Sequence, residues 1–253
     1  MKECTVCCVT AKYNNKVEDK IGIMREVLTK YGRSDLTVFP ELFLEINSSN
    51  EREVISEIKR MSKKTKTIIS FGASFKQKKI YNSLFLITPE GRVNRYDKVH
   101  LTSLDKKDFS NGKLFKVVNT RIGKIGLAVC YDLLFPEAFR TLKLTGAEII
   151  VLGSLWPGYD NEGWEIFTKA RCRENQVFGV FSGGSGLFYD YARCGNSRIV
   201  DPFGKIIISN TMKNENYSVI KATLDPILLK RAMGIGCPKE NYMKARQPKS
   251  YKV

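Results

Sequence analysis

Three short stretches carry residues that could do chemistry. In Ile125-Gly126-Leu127-Ala128-Val129-Cys130-Tyr131-Asp132, an apolar run delivers a cysteine at its end, and Pro136 then opens a helical segment. A strand–turn–helix of this kind exposes a nucleophile and points free backbone N–H groups at whatever it attacks. In Val38-Phe39-Pro40-Glu41 a carboxylate follows another apolar run. In Tyr96-Asp97-Lys98-Val99-His100-Leu101 a lysine follows a third expected strand. Each residue also has an ordinary structural reading: a buried strand-end thiol, a turn carboxylate, one of many surface lysines. Their common placement matters more, because strand ends in α/β architectures converge on one edge, where sites form.

The elements that must position them alternate along the chain. Strands are expected at Thr5–Ala11, Leu36–Phe39, Thr67–Ser74, Ile80–Ile87, Arg92–Tyr96, Leu114–Val118, Gly123–Val129, Glu148–Leu152, Gln176–Phe181, Ser197–Val200, Lys205–Ser209 and Val219–Leu224. An Asn119-Thr120-Arg121 turn should join two of them. Helical spacing of apolar residues predicts helices over Lys16–Tyr31, Asn50–Lys63, Pro136–Leu144, Trp164–Glu174 and Pro226–Ala232. Buried strands that read as near-continuous apolar runs require cover on both faces. The expectation is therefore an α/β fold, a four-layer α-β-β-α sandwich of two mixed β-sheets with outer helices. No linker or shift of composition interrupts the chain, so 1–253 reads as one domain, with a tail from about 233 on the surface or at a subunit interface.

Composition narrows the function classes. The chain has 253 residues, 43% hydrophobic and 27% charged, which suits a globular protein and not a disordered or fibrous one. No apolar stretch is long enough for a membrane span, and the N-terminus shows no secretory signal core, so a cytoplasmic protein is expected. The net charge of +16 would suit nucleic acid. The basic residues are scattered, however, and lack the interleaved aromatics of a nucleic-acid groove, so a solvated surface is the preferred reading. Seven cysteines at irregular spacing, Cys4, Cys7, Cys8, Cys130, Cys172, Cys194 and Cys237, read as reduced thiols. Cys4-x-x-Cys7-Cys8 has no second cysteine pair and no nearby histidine to complete a zinc site. On a strand, Cys4 and Cys8 would face one way and Cys7 the other, as small core residues.

Together the three stretches strongly resemble the nitrilase, or carbon–nitrogen hydrolase, superfamily. That family is recognised by a Glu after the second strand, a Lys in a Lys-x-His-Leu context and a Cys in a Cys-Tyr-Asp context, here Glu41, Lys98 and Cys130. The resemblance spans nearly the whole chain, including Phe109, Gly112, Glu137, Arg173-Glu174-Asn175-Gln176, Gly195-Asn196-Ser197 and Asp201-Pro202-Phe203-Gly204. It implies a cysteine nucleophile, with Glu41 as general base and later acid, because a thiol near its ordinary pKa is mostly protonated at neutral pH. Lys98 and the Tyr131 N–H would stabilise the oxyanion. No metal or organic cofactor is implied. His100 is read as structural, since the family's base is the glutamate. The auxiliary carboxylate falls at Asp105, one methylene shorter than the usual Glu, with Asp108 as a fallback. Tyr131, Asp105 and Glu137 form the auxiliary or oxyanion set, and Trp156 and Tyr159 are candidate pocket walls.

The resemblance implies a thiol amidohydrolase that converts a small linear carboxamide to an acid and ammonia. Cys130-Tyr131-Asp132 looks like the amidase-like branches, whereas nitrile-hydrolysing members usually carry Cys-Trp-Glu. An N-carbamoyl-amine hydrolase or a nitrilase with the same three residues is the alternative. More distant rivals are a non-catalytic basic nucleic-acid-binding protein and a scaffold subunit. Leu134 stands where many amidase-like members have Arg, and Ser182-Gly183-Gly184-Ser185-Gly186 replaces their Asn-Arg. Both changes remove cations that would meet a substrate carboxylate and argue against a dicarboxylate-monoamide substrate. The high positive charge, which steers anions, argues the other way. The expected partners are a small amide or carbamoyl substrate and a second copy of the chain in a homodimer or larger homo-oligomer, with no nucleic acid or membrane.

Overall fold

The computed structural model of the chain describes residues 1–13, 17–31, 33–212, 216–233 and 243–251. The first sheet is built from β1 (Cys4–Lys12), β2 (Leu36–Val38), β3 (Leu44–Ile46), β4 (Ile68–Lys76), β5 (Ile80–Ile87) and β6 (Val93–Asp97). The second uses β7 (Lys116–Thr120), β8 (Gly123–Val129), β9 (Ile149–Ser154), β10 (Phe178–Phe188), β12 (Asn196–Val200) and β13 (Ile206–Thr211), while β11 (Tyr191–Cys194) pairs with the far end of β10 on the side of the first sheet. The strand β14 (Tyr217–Leu224) returns to the first sheet, antiparallel to β1. The central path runs β6-β5-β4-β2-β1-β10-β9-β8-β7. The two sheets join where Ala11 and Lys12 of β1 pair with Gly184 and Ser185 of β10.

Parallel pairing of β1 with β2, β2 with β4, β8 with β9 and β9 with β10 aligns their carboxyl ends. The chain reverses twice from β4 to β6, so β6 ends at the same edge. These ends carry the three chemical residues.

Three apolar clusters make the layers. Between the sheets lie Val6, Cys8, Val38 and Leu84 from one side and Ile125, Val129, Val151 and Phe178 from the other. Outside the first sheet, Phe39, Phe71 and Phe85 pack under α1 (Val17–Lys30) and α2 (Glu51–Thr65) through Met24, Val27 and Ile58. Outside the second, Ala128, Ile150 and Phe181 pack under α4 (Pro136–Leu144) and α5 (Asn161–Asn175) through Phe139, Leu142 and Trp164. The short helices α3 (Asp105–Asp108) and α6 (Pro226–Ala232) complete the set. This is the mixed α/β arrangement of sheets flanked by helices that the patterning predicts. Cys4 and Cys8 face the inter-sheet core and Cys7 does not, and the cysteines among the described residues are free thiols.

Some expectations need correcting. The turn between β7 and β8 is not at Asn119-Thr120-Arg121: Thr120 still pairs with Gly123, leaving Arg121 and Ile122 to turn. β3, β11 and α3 carry too few residues for a periodic signal. β10 does not stop at Phe181 but continues through the glycine run to Phe188. Lys16, at the expected start of α1, lies outside the described residues, as do 234–242, with Cys237, and 252–253 of the tail. Among the described residues no helix is long and apolar enough to cross a membrane. Lys59, Arg60, Lys63 and Lys64 lie on the exposed side of α2.

Candidate active site

Glu41 sits in the turn just past β2, with only 3% of its surface exposed. That turn is gripped between the sheets at two glycines. A Cβ on Gly72 of β4 would lie 2.5 Å from the Glu41 Cα, and one on Gly153 of β9 would lie 2.8 Å from the Glu41 nitrogen. Glycine inside a strand often marks such close backbone approach, and both signals were present in the sequence without being read. The carboxylate is fully engaged. Its Oε1 accepts from Asn82 Nδ2 at 2.7 Å and Lys98 Nζ at 2.9 Å, and its Oε2 accepts from the Leu155 N–H at 2.7 Å.

Lys98 follows β6 directly. Its N–H donates to Asn82 O and its carbonyl accepts from Gly112 N–H, each at 2.8 Å. Gly112 is required here because a Cβ would collide with the Asp97 carbonyl. The ammonium, 2% exposed, lies 2.9 Å from both Glu41 Oε1 and Asp105 Oδ2. Burial lowers its pKa, but Glu41, the Cys130 sulfur and Asp105 outweigh that penalty and hold it above the ordinary lysine range. Burial likewise works against charge on Asp105, yet Lys98 and the Thr102 N–H and hydroxyl hold its carboxyl below the usual range. The shorter aspartate therefore reaches the lysine, because α3 brings its backbone close and Thr102 clamps it in both directions. Asp108 points elsewhere, to the Tyr189 hydroxyl.

Cys130 begins a 3-10 turn, Cys130–Leu134, immediately after β8, at φ 42°. That is left-handed backbone, which costs a residue with a Cβ roughly 1–3 kcal/mol and persists only where surroundings over-determine it. Asp132 supplies the determination. Fully buried, it accepts from Val129 N–H at 2.9 Å, Tyr96 Oη at 2.7 Å and His100 N–H at 3.1 Å, and its Oδ1 lies 2.9 Å from His100 Nδ1. His100 also stacks on Phe135 with centroids 3.6 Å apart. The histidine thus braces the turn from behind and is a structural residue. Tyr131 occupies the first turn, where backbone N–H groups have no intrahelical acceptor.

The Cys130 sulfur accepts from Ser154 Oγ at 3.3 Å. Burial and the Glu41 carboxylate push the thiol well above its ordinary pKa, while Lys98 and Ser154 pull it down. Burial is the largest of these influences, and it works against a charged sulfur.

Glu41, Lys98, Asp105 and Cys130 line one cavity of about 520 Å³. Tyr131, Leu134, Trp156 and Tyr159 line it too, as do Phe188, Tyr189, Tyr191 and Arg193 of the β10–β11 hairpin, which the sequence reading missed along with Asn82 and Ser154. Trp156 is buried and Tyr159 is exposed at the mouth. Glu137 is the expectation that fails. It lies exposed on the first turn of α4, whose inward positions are Ala138, Phe139 and Leu142, and it faces a different groove with Arg140, Leu144 and Tyr251. Among the described residues, no group of three or more His, Cys, Asp or Glu side chains is placed to hold a metal ion.

A family model described as carbon-nitrogen hydrolase matches residues 12–232. A probable nitrilase of Schizosaccharomyces pombe is 31% identical over 218 residues, covering 80% of this chain and 79% of its own. An (R)-stereoselective amidase of a Pseudomonas species is 31% identical over 223 residues, covering 81% and 78%. A crystal structure of a carbon-nitrogen hydrolase from Helicobacter pylori superposes with a TM-score of 0.87 at 19% identity, covering 98% of this chain and 97% of that one.

Proposed function

The chain belongs to the carbon–nitrogen hydrolase family, and from that premise we propose that it is a thiol amidohydrolase, releasing ammonia from a small linear carboxamide through a thioester on Cys130. One observation carries the reading: a thiol, a carboxylate and an ammonium, each from a different strand end, share one cavity, with the carboxylate and ammonium 2.9 Å apart.

The steps follow from those groups. Glu41 takes the thiol proton as the sulfur attacks the amide carbonyl, so no standing thiolate is needed. The developing oxyanion meets the Lys98 ammonium and the Tyr131 N–H. Glu41 returns its proton to the amide nitrogen, the C–N bond breaks, and ammonia leaves. Glu41 then takes a proton from water, which attacks the thioester. Collapse frees the acid, and the departing sulfur recovers its proton from Glu41. Asp105 acts as a positioning residue, holding Lys98 charged and aimed. The amide is favoured over the nitrile by Cys130-Tyr131-Asp132. Free thiols support a cytoplasmic setting, and Leu144 and Ile166, exposed on α4 and α5, support pairing of two copies through those helices.

The test is ammonia release from aliphatic amides, ω-amides, N-carbamoyl compounds and nitriles, with wild type beside Cys130→Ala. Release should fall by at least about 10⁴-fold in the variant while the circular-dichroism melt stays in place. Normal release from Cys130→Ala would end the thiol mechanism, and a best substrate among nitriles or N-carbamoyl compounds would move the chain to that branch.

A further inference from the structure

Lys98 cannot recognise a charged substrate group, because its ammonium is already held between Glu41 and Asp105. The other cation lining the cavity is Arg193, on β11 near the mouth. Among the described residues it has no carboxylate partner within 4 Å. One terminal nitrogen donates to Phe188 O at 2.6 Å, and Nε is buried without an acceptor. An arginine without a carboxylate partner, beside a cavity whose only other cation is already held by two carboxylates, is a ready bidentate receptor for a substrate carboxylate.

Its position is fixed rather than floppy. Arg193 pairs in an antiparallel bridge with Pro157, and the next residue, Cys194, donates its N–H to Trp156 O at 3.0 Å. A Cβ on Gly158 would press on Ala192 O at 3.2 Å, so glycine lets the two segments meet. The guanidinium lies over the Phe188 ring, 5.3 Å from its centroid. Strand pairing on one side and stacking on the other prepay the ordering of a long side chain.

We propose that Arg193 sets specificity by binding a carboxylate at the far end of the amide substrate, so that the preferred substrate is an amide acid. This rests on the amidohydrolase reading above and gives it a substrate class. It also supplies, from another element, the cation that Leu134 and the 182–186 segment lack. The net charge of +16 adds long-range attraction for such an anion.

The experiment compares monoamides of four- to six-carbon dicarboxylic acids with neutral amides of matched length, in wild type, Arg193→Gln and Arg193→Lys. Wild type should favour the amide acids. Arg193→Gln should raise KM for them by about 10- to 100-fold with kcat little changed and neutral amides within about twofold. Arg193→Lys should recover part of the loss. In parallel, calorimetry should show glutarate or succinate binding wild type and not Arg193→Gln. Equal losses on charged and neutral amides, or unchanged KM for the amide acids, would overturn the role of Arg193 while leaving the amidohydrolase intact. If no amide is turned over, the amidohydrolase reading fails, and the calorimetry still decides whether Arg193 binds carboxylates.

Discussion

The floor and the rim of the cavity are built on opposite principles. On the floor, Glu41, Lys98, Asp105 and Asp132 are all below 5% exposed, and their charged oxygens and nitrogens are tied to backbone, to one another or to the side chains of Asn82, Tyr96 and His100. At the rim, Tyr159 is 81% exposed and Tyr191 52%, and their rings meet edge-on, 6.3 Å apart. The floor is held by sheet ends that also hold the core, so moving a catalytic group means deforming both sheets. The rim hangs on a hairpin that touches the sheets at one end. Chemistry is thereby insulated from specificity, and rim residues can change without cost to the fold.

The hardest test of that contrast is Lys98→Ala. It removes the oxyanion partner and leaves Glu41 and Asp105 as adjacent buried carboxylates. Activity should fall by about 10³-fold or more, and urea unfolding should show a loss of about 3–5 kcal/mol. An unchanged unfolding midpoint would mean that the floor is not a structural element, and the contrast would collapse.

Gly72→Ala comes next, because it touches no catalytic atom. A methyl 2.5 Å from both Glu41 Cα and Pro40 O has no flexible side chain to displace, so the Glu41 turn itself must move. Overpacking of this kind costs about 1–3 kcal/mol, and a displacement of an ångström at a catalytic group costs about 10²-fold in rate. The expected signature is a fall in kcat at nearly constant KM. A rise in KM alone would show that Glu41 tolerates movement.

Asp105 gives a pH test. Its folded pKa lies below the unfolded value, so it contributes stability above pH 3.8, lost as pH falls through the folded value. Urea midpoints of wild type should drop across that acid window, and Asp105→Asn should flatten the drop. A variant with the same acid slope would show that the Lys98–Asp105 contact does not hold the carboxyl down.

How far each region could be read from the sequence follows the same division. Glu41 and Cys130 were legible because each ends a buried apolar run, and apolar runs make strands whose ends must converge, whereas Lys98 follows the polar, half-exposed β6 and was legible through its Lys-x-His-Leu context. Asp132 was legible only as part of a motif; that it braces the left-handed Cys130 depends on Tyr96 and His100, which arrive from another strand. Glu137 entered only through the family motif that follows Cys130, and the first turn of α4 points it outward. The rim was illegible. Ser182-Gly183-Gly184-Ser185-Gly186 reads as a loop, yet it continues β10, since its glycines let the backbone pass Asn196 and Leu155 at contact distance. Without that continuation there is no hairpin, and nothing brings Arg193 to the cavity.

The smallest expected effect is the most direct check on the rim. Tyr159 stands in a short 3-10 turn, Gly158–Asp160, ahead of α5, whose N-cap Asp160 accepts from Gly163 N–H. The cap and the Trp156 indole, which donates to Asp160 O, hold that turn without help from the Tyr159 ring. Tyr159→Ala should therefore leave unfolding within about 0.5 kcal/mol of wild type. It should still change KM by a few-fold, because the ring and Tyr191 wall the entrance through which the substrate's far end must pass. Steady-state kinetics beside a melt would decide. A large stability loss would make the rim part of the scaffold, and an unchanged KM for every substrate would leave recognition to Trp156 and Arg193, with Tyr159 a bystander at the mouth.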